Sequence, residues 1–128
     1  MLLDTHVWLW WLSDPGLLSH IARNAVEEAS AHRQRLWISS ISAWEVALLV
    51  KKGRLRLSIS AARLVERTEA LGFVEFAPIT NSIALKSVDL NMHSDPADRL
   101  IVATALELGV SLVTRDEKLH DLSVPTIW

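Results

Sequence analysis

Cysteine is absent from the 128 residues, so there is neither a disulfide framework nor a thiolate metal site, and any bound metal must be held by oxygen or histidine. That absence fits a reducing cytoplasm, where the protein is expected to work. Tyrosine is missing too, and the four glycines are scattered, so no Walker loop or dinucleotide fingerprint exists to cradle phosphates. Neither charge dominates: 13 basic residues stand against 15 acidic ones, a net of -2. No overall field advertises nucleic acid or an anionic membrane, and any such contact must be local. Long apolar runs are lacking as well. Leu9 to Leu12 is too short to span a bilayer, and Ile38 to Val50 carries Glu45 and ends at Lys51-Lys52-Gly53-Arg54, which makes it a buried helix. The N-terminal apolar stretch has no basic region before it, so no targeting segment or membrane association is expected.

What is present suits one packed unit. Half of the residues are hydrophobic, enough for a single core at this length, and neither repeats nor linkers interrupt the chain. Strand and helix signals alternate. Met1 to Leu3 reads as a strand, Thr5 to Ser13 as a helix apolar nearly all round, and Asp14-Pro15-Gly16 as a turn. Ser19 to Ala31 repeats apolar residues at helical spacing; Leu36 to Ser39 is strand-like. Ser42 opens a helix with Glu45 at the spacing of a capping box, and Gly53 stops it. Ser60 to Leu71 is a helix ended by Gly72, followed by a strand at Phe73 to Phe76 and a helix at Asn81 to Val88. Asp95 reads as an N-cap with Pro96 at the first helical position of a buried helix reaching Gly109. Ser111 to Thr114 and Thr126 to Trp128 are strands, with a helical turn at Glu117 to Leu122 between them. Strands alternating with helices imply a three-layer α/β/α sandwich around a central parallel sheet.

The informative residues are acids. Asp4 follows Met1-Leu2-Leu3 directly, and Asp116 closes the strand Ser111 to Thr114 through Arg115. Open parallel sheets gather ligands at the carboxyl ends of their strands, so two acids at matching ends suggest one site. Glu45 and Asp98 stand in the opening turns of strongly apolar helices. Taken singly, Glu45 reads as a capping-box partner, Asp98 as an acid favoured by the helix dipole, and Asp116 as the cap of the next turn. Asp4 resists that explanation, because strands disfavour Asp. If the fold brings the four together, carboxylates ~4 Å apart repel by roughly 4 kcal/mol per pair at an effective dielectric of about 20. A cation removes the conflict. All-carboxylate ligation selects a hard ion, Mg²⁺ with Mn²⁺ as a substitute. His6 and His93 lie near the acids in sequence but read as exposed rather than ligating, and His20, His32 and His120 as surface residues.

The segments Leu3-Asp4-Thr5-His6, Ser42-Ala43-Trp44-Glu45, Asp95-Pro96-Ala97-Asp98-Arg99-Leu100-Ile101-Val102-Ala103 and Thr114-Arg115-Asp116 together resemble the PIN-domain ribonucleases, in particular the VapC-like toxins of type II toxin-antitoxin pairs. The resemblance covers essentially the whole chain, so residues 1–128 are expected to form one PIN-like domain. It implies that Asp4, Glu45, Asp98 and Asp116 hold one or two Mg²⁺ ions, with Asp116 acting directly, through water or on a second metal. Asp95 reads equally as a helix cap and as a support for the ligands. Thr5, Ser42 and Thr114 are candidates to orient carboxylates through their hydroxyls. The activity implied is RNA cleavage, neutralised by a cognate VapB-like antitoxin.

Such a site hydrolyses phosphodiesters without a nucleophilic side chain, because the metal supplies acidity and charge. Lys51, Lys52, Arg99 and Arg115 are candidates to grip the RNA phosphates; for Lys51 and Lys52 the competing reading is a helix C-terminus complementing its dipole. Trp8, Trp10 and Trp11 lie too close for all three to face one core, since adjacent helical residues diverge by about 100°. They therefore suggest a contact with another chain, a homodimer or the antitoxin. Two other function classes remain. An aspartate-based phosphotransferase would use Asp4 as nucleophile, yet haloacid-dehalogenase-like enzymes want a second acid where this chain has His6, and a receiver domain wants its acceptor near mid-chain, where Ser58 and Ser60 lie. A catalytically silent binding module would use the acids only as caps.

Overall fold

The computed structural model describes residues 1–93, 95–120 and 124–128. Five short strands, β1 (Leu2–Leu3), β2 (Leu36–Ser39), β3 (Val74–Ala77), β4 (Leu112–Val113) and β5 (Thr126–Ile127), form one sheet in the order β3-β2-β1-β4-β5. Every pairing is parallel. Six helices connect or flank them: α1 (Thr5–Ser13), α2 (His20–Ala31), α3 (Ser40–Lys51), α4 (Ala61–Glu69), α5 (Asn81–Val88) and α6 (Pro96–Leu108). The chain builds outward from β1 through β2 to β3, then crosses to the other side of β1 for β4 and β5. That reversal puts the ligand-binding crevice of the sheet at the carboxyl end of β1, where Asp4 stands.

Strand alternation divides the interior. Leu3 and Val113 point into a core built with α1, α2 and α4, whereas their neighbours Leu2 and Leu112 point into a second core against α6. All four are fully buried, each contributing about 1.5–3 kcal/mol of transfer free energy. Helix α5 packs on α6, and α3 contacts both α4 and α6 at the side of the sheet. The result is the three-layer arrangement expected. Among the described residues no helix is long and apolar enough to cross a membrane.

Several elements match their sequence signals closely. Helices α1 and α5 have the expected limits, Asp95 caps α6 by accepting from the Asp98 N–H at 3.0 Å, and Gly109 ends it at φ +63°. The turn after β4 is a 3-10 helix at Glu117–Leu119; the expected end at Leu122 lies outside the described residues. The start of α3 differs. Its N-cap is Ser39, whose hydroxyl accepts from the Ile41 N–H at 3.4 Å, and Ser42 lies within the helix. The Ser42–Glu45 capping box therefore does not form, which leaves Glu45 without that structural role.

The tryptophans of α1 also depart from expectation. Trp8 is fully buried, edge-on to Phe76 at 5.4 Å, and donates from Nε1 to Thr68 Oγ1 at 3.1 Å. Trp11 packs on Phe73 at 6.3 Å and Trp10 on Trp128 at 6.1 Å. The three rings do diverge, but each finds an aromatic partner within the chain, so the trio no longer argues for an interface.

Candidate metal centre

All four expected acids line a single open cavity of about 780 Å³, together with Asp95 and Arg115. Asp4 reaches it from the N-cap of α1, Glu45 from the second turn of α3, Asp98 from the first turn of α6, and Asp116 from the cap of the 3-10 turn after β4. Residues separated by up to 112 positions thus share one hollow because parallel strands end on the same side and each following helix starts there.

Asp4 is held on both oxygens. Its Oδ1 accepts from the Thr5 backbone N–H at 2.7 Å and its Oδ2 from the Thr114 hydroxyl at 2.8 Å. Thr114 Oγ1 in turn accepts from the Asp116 N–H at 3.1 Å, so one hydroxyl links the ends of β1 and β4. Burial pushes the Asp4 carboxyl up; the Thr114 and Thr5 hydrogen bonds and His6 oppose this without cancelling it, and Asp116 adds to the rise. Thr114 therefore orients a carboxylate as expected. Thr5 and Ser42 do not use their hydroxyls so: Thr5 Oγ1 donates to Ser42 Oγ at 2.8 Å, pinning α1 to α3 through a buried pair. The reason is packing, since both hydroxyls meet at the α1–α3 contact, and among the described residues neither bonds a carboxylate.

Asp98 records the crowding most clearly. Burial is the largest cause, and the carboxylates of Asp95, Asp4, Glu45 and Asp116 add to it, pushing its pKa from the ordinary 3.8 up to about 7. The local restraints are those of caps: Asp95 Oδ1 accepts from the Asp98 N–H, and Asp116 Oδ1 from the Lys118 N–H at 2.9 Å. Capping and crowding are compatible, because each carboxylate keeps free lone pairs.

His93 is the residue that sequence reasoning set aside. Its ring, Asp98 and Asp116 each bring a ligand atom within 4.8 Å of the other two. Nδ1 accepts from the Asp95 N–H at 3.3 Å, which in the neutral ring leaves the proton on Nε2. Nε2 lies 3.3 Å from Asp98 Oδ2 but out of line for a hydrogen bond, and is buried without a partner among the described residues. In this tautomer His93 is a donor facing the acids rather than a ligand. Only its position two residues before Asp95 hinted at this in the sequence. His120, expected at the surface, is instead half-buried, with Nε2 3.2 Å from the Thr114 carbonyl oxygen.

The expected phosphate grips separate. Arg115 lines the cavity with its guanidinium carbon 5.9 Å from the Trp10 ring centre. Lys51 and Lys52 are exposed at the end of α3, and Lys52 borders a small groove beside Glu45. Arg99 is withdrawn from the set. Its guanidinium donates to the carbonyls of Ser87, Val88, Leu90, Met92 and His93, clamping the segment between α5 and α6. A guanidinium has five N–H donors; these contacts engage all three nitrogens with backbone carbonyls and occupy four of the five hydrogens.

The donor set fits a divalent cation. Carboxylate oxygens predominate, as hard ions require, and the neighbouring carboxylates add to the burial that raises the Asp98 pKa, even though Arg115 and Lys118 line the same cavity.

Comparison with known proteins agrees with this geometry. The family model for the PIN domain matches residues 1–125. The chain belongs to the PIN domain family. It is 38% identical to Ribonuclease VapC22 of Mycobacterium tuberculosis over 137 aligned positions, covering 100% of this chain and 98% of that protein. Among solved structures, it resembles a toxin-antitoxin complex from Klebsiella pneumoniae, with TM-score 0.63 and 25% identity over 95% of this chain and 92% of the other. A DNA-bound VapBC from Salmonella typhimurium shares the fold of this PIN chain, with TM-score 0.68 and 17% identity over 98% and 94% of the two chains.

Proposed function

We propose that this single PIN domain is a Mg²⁺-dependent endoribonuclease toxin of the VapC type, acting in the cytoplasm and neutralised by a cognate VapB-like antitoxin. The observation that carries the reading is the convergence of Asp4, Glu45, Asp98 and Asp116 on one cavity. A purely structural role does not account for it, since capping needs no four acids in one hollow and the crowding weighs against the fold. These four residues would hold Mg²⁺, with Mn²⁺ as a substitute. When bound, such an ion lowers the pKa of water, polarises the phosphoryl oxygen and offsets charge on the leaving oxygen.

The chain's own residues set the conditions for that chemistry. Thr114 and the Thr5 N–H fix the Asp4 carboxylate, and the Thr114 oxygen anchors the Asp116 backbone. Asp95 is a support, tying the start of α6 so that Asp98 faces the cavity. Arg115 lies where it would receive an RNA phosphate, and its contact with Trp10 limits its freedom before binding. His93 Nε2 offers a hydrogen-bond donor to an oxygen of the same phosphate. A second cavity of about 800 Å³ shares His6 and Trp10 with the first and is lined mainly by apolar residues with Arg54, Arg56 and Arg67. This groove would seat an amphipathic antitoxin segment.

The test is cleavage of total RNA by the wild-type protein with Mg²⁺, with chelator, and by Asp4→Asn and Asp98→Asn. Chelation and both substitutions should abolish cleavage while circular dichroism shows an intact fold. Undiminished cleavage by either variant would overturn the site.

A further inference from the structure

Trp44 stands apart from the other tryptophans. It is 54% exposed, and among the described residues no aromatic ring or cation packs on it. The residue after it is Glu45. Both line a groove of about 160 Å³ together with Asp95, Lys52 and Arg54. Glu45 and Asp95 also line the metal-centre cavity, so the groove is a continuation of that cavity over the outer face of α3. Its charge changes along the way: acids at the inner end, then the indole, then two exposed cations that make no salt bridge among the described residues.

From these observations we propose that Trp44 is a stacking platform for an unpaired base next to the scissile phosphate, with Lys52 and Arg54 holding the adjoining backbone phosphates. The inference rests on the nuclease reading and adds which side of the site the strand follows. Trp44 and Leu48 on α3 and Lys52 at its C-cap succeed one another at intervals of four, about 12 Å from end to end at 1.5 Å per residue. A single strand carries bases and phosphates in alternation and is gripped by aromatic faces and local positive charge together. The groove supplies both in a chain whose net charge supplies no general attraction. At about 160 Å³ it is too small for a protein helix, which would need a longer apolar face. A double helix is excluded on the same grounds, because its bases have no free face to offer the indole.

The experiment compares the wild-type protein, Trp44→Phe and Trp44→Ala by fluorescence anisotropy on a labelled, randomised single-stranded 12-nucleotide RNA, with Ca²⁺ replacing Mg²⁺ to prevent turnover. Inorganic polyphosphate serves as a competitor with charge but no bases. One stacked base sets the expected loss of RNA affinity in Trp44→Ala at about 5- to 150-fold, with Trp44→Phe close to wild type and polyphosphate competition the same in all three. Equal RNA affinity in the three proteins would overturn the inference, as would a parallel loss toward polyphosphate. A shift from dimer to monomer in Trp44→Ala by light scattering would also overturn it, assigning the indole to a second copy of the chain. A wild-type protein that neither binds nor cleaves RNA would refute the nuclease reading itself, and so is distinguishable from failure of Trp44 alone.

Discussion

Replacing Asp98 by Asn should stabilise the metal-free protein, and the size of the effect follows from its surroundings. A carboxyl whose pKa rises from 3.8 to about 7 on folding binds a proton more tightly in the native than in the unfolded state. Its contribution is therefore most favourable below pH 4 and declines as the pH climbs through 7, the reverse of a salt-bridged Asp. The full rise would correspond to on the order of 4 kcal/mol for a carboxyl sealed from water. With 24% of the side chain exposed, solvent screening reduces this to about 2 kcal/mol. Asn keeps the shape and the hydrogen-bonding capacity but not the charge. Urea unfolding in chelator at pH 8 should thus show Asp98→Asn more stable than wild type by about 1–2 kcal/mol, with the difference vanishing near pH 4. Added Mg²⁺ should stabilise wild type and leave the variant nearly unchanged. A variant less stable than wild type at pH 8 without metal would overturn this expectation, since it would mean that the Asp98 charge is satisfied within the protein.

Two further substitutions separate positioning from packing. Thr114→Val removes the hydroxyl that donates to Asp4 and receives the Asp116 N–H; RNA cleavage should fall by about 10- to 100-fold, the range for partners that orient metal ligands, with the fold retained by circular dichroism. Arg99→Ala leaves carbonyls between α5 and α6 without their shared donor, which should cost roughly 2–4 kcal/mol in urea unfolding. RNA affinity of the folded fraction, read at low temperature by anisotropy, should not change, whereas a phosphate-binding Arg99 would show the opposite pattern.

The acids were legible because each stands where local rules make it conspicuous: Asp4 after two buried leucines, Asp95-Pro96 at a helix start, Asp116 after a strand. Helix limits followed where one capping residue preceded one apolar run, as at Asp95; Asp4, which had resisted a capping explanation, also caps α1. They slipped at α3, where Ser39, Ser40 and Ser42 compete and the choice depends on Ser42 meeting Thr5, 37 positions away. Arg99 and His93 were misjudged for a related reason. An arginine beside a ligand looks like a phosphate grip until the carbonyls that surround it are known, and a lone histidine has no signature until a neighbouring backbone N–H fixes its ring. The tryptophan trio showed the limit of helical-wheel reasoning: divergent rings still found Phe76, Trp128 and Phe73 on other elements. Trp44 and the order of the strands were likewise beyond local pattern.

The converging carboxylates are proposed to form one cation site. Titration of Mn²⁺ into the wild-type protein and Asp98→Asn, with free Mn²⁺ followed by electron paramagnetic resonance, addresses it without reliance on activity. Wild type should bind Mn²⁺ saturably and release it to Mg²⁺, with binding weakened by at least about tenfold in Asp98→Asn. Equal Mn²⁺ binding by the two proteins, or none by either, would contradict it.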